Sequence, residues 1–199
     1  FIWLTSPALY PSIGCVNSDA KIIYDCMDDF AEFPSSKSSP VYCKQLINWE
    51  MDLMKQADIV LCSSEYLKEK VISRSGINRE VHIINNAISL PQIRHFDSFP
   101  SKVQDAINLL KSLKCSLLYI GTISQWFDFK LICEALDKKE DVQLVLIGPK
   151  DCDIPSHKQI HYIGSVERQY IYSLMEQASA LVMPFIVNEL IRSVNPVKM

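Results

Sequence analysis

The chain has 199 residues, of which 48% are hydrophobic and 22% are charged, the composition of an ordinary globular protein. Its formal net charge is −3, and its Lys and Arg residues are scattered, which excludes a basic surface for nucleic acid or for an anionic membrane. No apolar run reaches the length of a membrane span. The seven cysteines form no C-x-x-C pair, and an odd count does not suit a closed disulfide framework. We therefore expect reduced thiols in a cytoplasmic protein.

Short apolar runs alternate with helical stretches along the whole chain. The predicted strands cover residues 1–5, 21–25, 58–63, 80–84, 115–121, 142–147, 160–163 and 179–183. The predicted helices cover residues 41–56, 64–74, 102–113, 127–138 and 167–177. The helix over 64–74 has Ser63 or Ser64 as its N-cap and Gly76 just beyond its end. Near-continuous apolar strands separated by helices predict an α/β fold with parallel sheets.

A domain junction is predicted over residues 85–113, which carry Pro91, Pro100 and several Ser with little strand signal. A fresh alternation of strands and helices begins at residue 115. The chain starts on a strand-like run and stops at Asn195-Pro196-Val197-Lys198-Met199, where a helix is expected to start. We expect a piece that is cut inside both domains and is inactive by itself.

Three carboxylates cluster where the second predicted strand ends, at Asp25, Asp28 and Asp29. Carboxylates close together raise each other's pKa and can act as a base or bind a metal. Alternatively, Asp28 or Asp29 caps a turn and Asp25 bonds to nearby backbone. The residue types alone leave both interpretations open.

Three later strands end on glycine, at Gly121, Gly148 and Gly164. Glycine lets a ligand approach the backbone, and the helix that follows can offer free N–H groups to a phosphate. The alternative is an ordinary strand–helix loop capped by Ser124. The chain contains no G-x-G-x-x-G turn, P-loop, H-E-x-x-H or G-x-S-x-G sequence, so the nucleotide, zinc-protease and hydrolase classes they mark are unsupported.

An ordered series of motifs spans nearly the whole chain. The motifs are Tyr24-Asp25-x-x-Asp28; Glu50 with Ala57-Asp58-Ile59-Val60 and Ser63-Ser64; Val81-x-Ile83-Ile84-x-Asn86; Tyr119-Ile120-Gly121; Leu146-Ile147-Gly148; Tyr162-x-Gly164-x-Val166; and Met183-Pro184-Phe185 followed by Asn195-Pro196-x-Lys198. The series resembles the GT-B glycosyltransferases of the "glycosyl transferases group 1" (GT4-like) class. Bacterial members that build envelope polysaccharides are the most similar.

The resemblance implies two Rossmann-like parallel-sheet domains, both incomplete in this chain. Residues 1–85 would be the later part of the acceptor-side domain, residues 86–113 the interdomain linker region, and residues 114–199 the first part of the nucleotide-sugar-binding domain. The implied activity is transfer of a sugar from a nucleotide sugar, such as a UDP- or GDP-sugar, to a glycan or lipid-linked acceptor, with retention of configuration. No metal, cofactor or nucleic acid is implied. The implied location is the cytoplasm, at the inner face of the membrane, with peripheral membrane association through parts outside this chain.

The resemblance also assigns residues to the site. The implied donor-binding residues are Gly121, Thr122, Gly148, Pro149, Gly164, Val166, Asn188, Asn195 and Lys198. Asp28, facing the acceptor, and Glu189, facing the sugar, are the implied catalytic candidates.

Two departures from the family pattern affect the charge of the donor site. The family usually carries a basic residue where this chain has Thr122, and a lysine where it has Phe127. Both normally neutralise the diphosphate, and Lys130, Arg192 or Lys198 are possible substitutes. The departures favour a non-catalytic GT-B module as an alternative to the transferase. A sugar-nucleotide epimerase of the same fold is a further alternative.

Overall fold

The computed structural model describes residues 1–15, 19–87 and 96–194. These residues form two compact units, one with residues 1–87 and 187–194 and the other with residues 96–186. The predicted division keeps 114–199 in one domain, whereas the contacts group 187–194 with the first unit. None of the helices in the described ranges is both long and apolar enough to cross a membrane.

The first unit is built on a four-stranded parallel sheet. Its strands are β1 (Ile2–Leu4), β2 (Ile22–Cys26), β3 (Ile59–Cys62) and β4 (His82–Ile83), in the order β1-β2-β3-β4. The paired residues of β2 and β3 run from Ile23 opposite Ile59 to Cys26 opposite Cys62. The carboxyl ends of the strands therefore lie along one edge of the sheet.

The first unit has the helices α1 (Pro34–Lys37), α2 (Pro40–Gln56) and α3 (Glu65–Ser75), with 3₁₀ turns at Pro7–Cys15 and Phe30–Glu32. Of these, α2 and α3 pack on the sheet through apolar side chains such as Leu53 and Leu67. Ser64 is the N-cap of α3, its hydroxyl accepting from the Leu67 N–H, and Gly76 ends the helix in the left-handed region. Both features are as predicted.

The second unit has its own four-stranded parallel sheet. Its strands are β5 (Cys115–Ile120), β6 (Val142–Ile147), β7 (Ile160–Gly164) and β8 (Ala180–Leu181), in the order β7-β6-β5-β8. Its helices are α4 (Ser101–Ser112), α5 (Phe129–Leu136) and α6 (Ile171–Met175), the last preceded by a 3₁₀ turn at Arg168–Tyr170. Each of the eight predicted strands is present, which confirms the predicted α/β class.

The second sheet is covered on both faces, as expected of a parallel sheet. On one face α4 contributes Val103, Ala106, Ile107 and Leu110 to a core with Leu118 and Val145. On the other face α5 packs against β5 and β6. Residues 101–112 are thus part of the second unit's core, although the sequence-based division includes them in the linker.

A short helix, α7 (Glu189–Ser193), follows β8 and belongs to the first unit. The sequence analysis predicts no helix over these residues. The Asn188 side chain caps the helix by accepting from the Ile191 N–H at 3.0 Å. Because Leu190 and Ser193 are buried, the helix is fixed by packing as well as by its cap.

Candidate functional site

Three glycines lie side by side at the carboxyl edge of the second sheet. The Gly121 N–H donates to the carbonyl of Ile147 at 2.9 Å, and the Gly148 N–H donates to the carbonyl of Gly164 at 3.0 Å. This is the edge at which open parallel sheets bind ligands. The structure therefore brings together the three predicted glycines at one place.

Gly148 is held in a position that only glycine can occupy. Its φ is 141°, and a Cβ placed on it would lie 2.1 Å from the Gly121 carbonyl oxygen. No side chain can therefore be added without moving the backbone of β5 or β6. The result is a strip of bare backbone across two strand ends, which suits close approach of a ligand.

The strand pairing continues for a few residues past the glycines. The Ile123 N–H donates to the Pro149 carbonyl at 2.9 Å, and the Asp151 N–H donates to the Ile123 carbonyl at 3.1 Å. The Thr122 carbonyl accepts from the Tyr119 hydroxyl at 2.7 Å. Thr122 and Pro149 therefore lie on two adjacent, hydrogen-bonded loops.

The aromatic residues below these loops explain one departure from the family pattern. Phe127 is buried, with its ring 5.0 Å from that of Tyr119 and 4.4 Å from that of Phe129. A lysine at this position would place a charge inside an apolar cluster. Burial also raises the pKa of Tyr119 to about 12, so its hydroxyl stays a hydrogen-bond donor to Thr122. Position 127 therefore serves the core of the second unit.

The third strand end carries Gly164, Ser165 and Val166. The Ser165 carbonyl accepts from the Lys102 ammonium at 2.7 Å. Val166 is half-buried against the core formed with α4. The Tyr162 hydroxyl donates to the Gly148 carbonyl at 3.1 Å, which ties β7 to β6 at this edge.

In the first unit, the three carboxylates clustered at the end of β2 have different surroundings. Asp25 accepts from the Trp3 indole N–H at 3.1 Å. Asp29 turns into the core towards Arg74 at 2.7 Å. Asp28 is half-buried, and burial raises the pKa of its carboxyl. Of the three, Asp28 is the one suited to take up a proton at the carboxyl edge of the sheet.

Asp29, the residue after Asp28, belongs to a buried charged cluster. Arg74 donates to Glu50 at 2.6 Å and to Asp29 at 2.7 Å, and the Tyr24 hydroxyl donates to Glu50 at 2.9 Å. The Lys70 ammonium lies 2.8 Å from the same Asp29 oxygen. Both carboxylates are almost fully buried, so the two cations offset a large desolvation cost.

The two carboxylates respond differently to this environment. Burial raises the pKa of Glu50, and Arg74 only partly reverses the shift. Burial also acts on Asp29, but hydrogen bonds and charge from Arg74 and Lys70 lower its pKa below the ordinary value. The other oxygen of Asp29, Oδ1, is buried without a hydrogen-bond partner among the described residues. Asp29 therefore has a structural role that depends on its two cations.

Glu189, a predicted catalytic residue, is held by α3. The Tyr66 hydroxyl donates to Glu189 at 2.6 Å, and the Lys70 ammonium donates to the same oxygen at 3.2 Å. The hydrogen bond from Tyr66, followed by that from Lys70, lowers the pKa of Glu189. We call Tyr66, Lys70 and Glu189 the α7 clasp.

The remaining predicted donor-binding residues are at or beyond α7. The Asn188 carboxamide oxygen is used as the cap of α7, and this residue belongs to the first unit. Asn195 and Lys198 lie outside the described residues. The donor-binding roles of these three residues stay predictions.

The sequence analysis missed the cations that organise both units. Lys70 and Arg74 are four residues apart on α3, which places them on one helix face, and this spacing was the available signal. Lys102 was overlooked because its helix was assigned to the linker. No local pattern reveals its contact with Ser165, since 63 residues separate the two.

Two further observations concern metal binding and a second surface depression. In the described ranges, no group of three or more His, Cys, Asp or Glu residues is arranged to hold a metal ion. A surface depression lined by residues that include Met54, Asp58 and Arg79 lies at the amino-terminal ends of β3 and β4. That edge is opposite the one at which parallel sheets bind ligands.

Two Rossmann-like parallel-sheet units, with bare glycines at the carboxyl edge of the second, define the fold class of the GT-B glycosyltransferases. The chain is 29% identical over 153 residues to TuaH of Bacillus subtilis (strain 168), which is named as a teichuronic acid biosynthesis glycosyltransferase. The match covers 74% of this chain and 37% of TuaH. No family model matches the chain.

Two solved structures share the fold. The Anabaena protein Alr3699/HepE, in complex with UDP-glucose, superposes with a TM-score of 0.62 at 14% identity, over 90% of this chain and 51% of that one. A UDP-forming trehalose-phosphate synthase from Burkholderia xenovorans gives a TM-score of 0.52 at 15% identity, over 92% of this chain and 52% of that one. These likenesses confirm the fold. The chain spans about half the length of these structures and 37% of its curated relative.

Proposed function

We propose that the whole protein is a glycosyltransferase that moves a sugar from a nucleotide-sugar donor to a glycan or lipid-linked acceptor, with retention of configuration. The observation that carries the proposal is the strip of bare backbone at Gly121, Gly148 and Gly164. It is supported by the fold shared with a protein solved in complex with UDP-glucose. It is also supported by the 29% sequence identity to TuaH, which is named as a teichuronic acid biosynthesis glycosyltransferase.

The proposed donor site is the carboxyl edge of the second sheet. Gly121 and Gly148 carry no side chain, so a diphosphate can approach the backbone at these two strand ends. Transfer requires stabilisation of the negative charge that develops on the departing nucleoside diphosphate. Pro149, Gly164 and Val166, on the two adjoining strand ends, would border the nucleoside.

The proposed acceptor-binding region is the carboxyl edge of the first sheet, around Asp28. A half-buried carboxyl with a raised pKa can accept the proton of an attacking hydroxyl. Glu189 is engaged by Tyr66 and Lys70, so we propose that it positions α7, whose cap is Asn188. Asn195 and Lys198 keep their proposed donor-binding roles.

The proposed setting is synthesis of a cell-envelope polysaccharide. The name of TuaH supports this setting. We propose that the protein works in the cytoplasm at the inner face of the membrane, on a nucleotide sugar and without a further cofactor.

The test is product analysis with the whole protein. UDP- and GDP-sugars are incubated with and without a cell-envelope glycan extract, and nucleotide release and products are followed by mass spectrometry and NMR. Release that depends on the acceptor, a product with the donor's anomeric configuration, and loss of both in Asp28→Asn are expected. Conversion of the donor sugar without acceptor would instead indicate an epimerase.

A non-catalytic role is the second candidate. Thr122 and the buried Phe127 favour it, because neither supplies the charge that usually neutralises the diphosphate. Tight donor binding without turnover in any acceptor mixture would support this role and contradict the proposed transfer.

A further inference from the structure

We infer that Lys102 and Lys150 form a cationic part of the donor site, at the strand ends that border the nucleoside, and that they receive the adjacent phosphate oxygens of the nucleotide. The inference rests on the proposed function and names residues for it that lie outside the family motifs. Neither lysine stands where the sequence comparison places a basic residue.

The two lysines converge on the ends of β6 and β7. The Lys102 ammonium donates to the Ser165 carbonyl at 2.7 Å. The Lys150 ammonium lies 5.3 Å from the centre of the Tyr162 ring, and the hydroxyl of that ring donates to the Gly148 carbonyl. Both ammonium groups therefore lie at the glycine-bearing edge, that of Lys102 at Ser165 and that of Lys150 over the Tyr162 ring.

Gly164 makes this arrangement possible. A Cβ on Gly164 would lie 3.1 Å from the Lys102 ammonium and 3.9 Å from the Tyr162 hydroxyl. The absence of a side chain lets Lys102 reach the end of β7 across bare backbone. An anion that approaches Gly148 and Gly164 would meet this ammonium at the same edge.

Both charges are available to a ligand. Within the described parts of the chain, no carboxylate forms a salt bridge with Lys102 or Lys150. Lysine is a point charge on a flexible stem, so both ammonium groups can turn towards a phosphate without disturbing the sheet.

The backbone of Lys150 pairs with Ile123, the residue after Thr122. The Lys150 ammonium itself lies over the Tyr162 ring of β7. The loop after β6 therefore supplies its charge at the ends of β6 and β7, while position 127 remains apolar.

The experiment measures binding by isothermal titration calorimetry to the whole protein, with UDP, uridine and inorganic pyrophosphate as probes. Lys102→Met and Lys150→Met are compared with Lys111→Met and Lys138→Met, two exposed lysines on α4 and just after α5. We expect each site variant to bind UDP about five- to tenfold more weakly, the scale of one charge-assisted contact. Uridine binding and the controls should stay unchanged, and the salt dependence of UDP binding should decrease.

The outcomes separate this inference from the proposed function. UDP binding that is equal in wild type and both site variants would overturn the inference and leave the proposed function standing. An equal loss of uridine and UDP binding would also overturn it, because the lysines would then act on the nucleoside. Lysine-dependent binding of pyrophosphate without binding of any nucleotide sugar would keep the anion site and refute the proposed function. Absence of binding of UDP and of pyrophosphate by wild type would overturn the inference and leave transfer from another nucleotide sugar standing.

Discussion

Two adjacent aspartates in the first unit, Asp28 and Asp29, have pKa values shifted in opposite directions by their surroundings. Asp28 is half-buried, and burial raises the pKa of its carboxyl. Asp29, one residue on, is bound by Arg74 and Lys70, and its pKa is lowered. The first is suited to proton transfer and the second to holding the fold together.

The raised pKa of Asp28 has a consequence for stability. The folded state holds the proton more tightly than the unfolded chain, so Asp28 favours folding at low pH and opposes it once pH rises through the folded pKa. Asp28→Asn should therefore increase the urea midpoint at pH 7 and have no effect below the unfolded pKa of about 4. Asp52→Asn, at a partly exposed position paired with Lys55, is the control. A lower midpoint for Asp28→Asn at pH 7 would contradict this account.

Arg74 should be the most sensitive charged residue of the first unit. Arg74→Met leaves Asp29 and Glu50 buried without their main counter-ion, which should lower the free energy of unfolding by about 3–5 kcal/mol. Because the depressed pKa of Asp29 contributes stability that is lost as pH falls through it, the defect should shrink under acid conditions. Urea unfolding at pH 7 and at a pH below 3.8 measures both effects.

Two comparisons test the cause of that defect. Arg192→Met removes an arginine that is 58% exposed and should change little. Adding Asp29→Asn and Glu50→Gln to Arg74→Met should restore part of the loss, since the unpaired charges are then gone. A loss that is independent of pH and is not restored would mean that packing, rather than charge, explains the role of Arg74.

Gly148 offers a test of the bare-backbone edge. Gly148→Ala forces a Cβ against the Gly121 carbonyl at a φ that alanine rarely adopts, so the loss of stability should exceed about 2 kcal/mol. Gly14→Ala is the control, because no atom lies within 4 Å of its added Cβ. Thermal unfolding compares the two, and equal melting temperatures would refute the assigned constraint at Gly148.

At the scale of elements, sequence patterns predict what is local and miss what is distant. The eight strands and the limits of α3 follow from apolar runs and from Ser64 and Gly76. The placement of α7 does not, because Glu189 and Tyr66 are 123 residues apart. The glycine strand ends of the site were predictable, whereas the contact of Lys102 with Ser165 depends on how α4 packs.

The α7 clasp should hold the end of the described chain to α3. Tyr66→Phe removes a hydrogen bond to Glu189 and Glu189→Gln removes the charge that holds Lys70, so the amide hydrogens of Arg192 and Val194, which bond within α7, should exchange faster. Hydrogen exchange with mass spectrometry measures this effect, with Glu65→Gln on the exposed side of α3 as the control. If α7 exchanges at the wild-type rate in both variants, packing of Leu190 alone holds the helix.

At the scale of the whole molecule, the features of each unit support one interpretation. The second unit presents bare strand ends and two lysines without salt-bridge partners among the described residues. The first presents a half-buried carboxyl above a rigid charged cluster. A nucleotide-sugar donor on one and a hydroxyl acceptor on the other require these respective features.

The measurement that tests the central claim most directly is equilibrium binding of a panel of UDP- and GDP-sugars to the whole protein by titration calorimetry. Saturable binding of at least one nucleotide sugar is predicted, with competition by its nucleoside diphosphate and weaker binding in Gly148→Ala. Absence of binding across the panel, by a wild-type protein that unfolds cooperatively, would contradict the assignment of the glycine-bearing edge as a donor site.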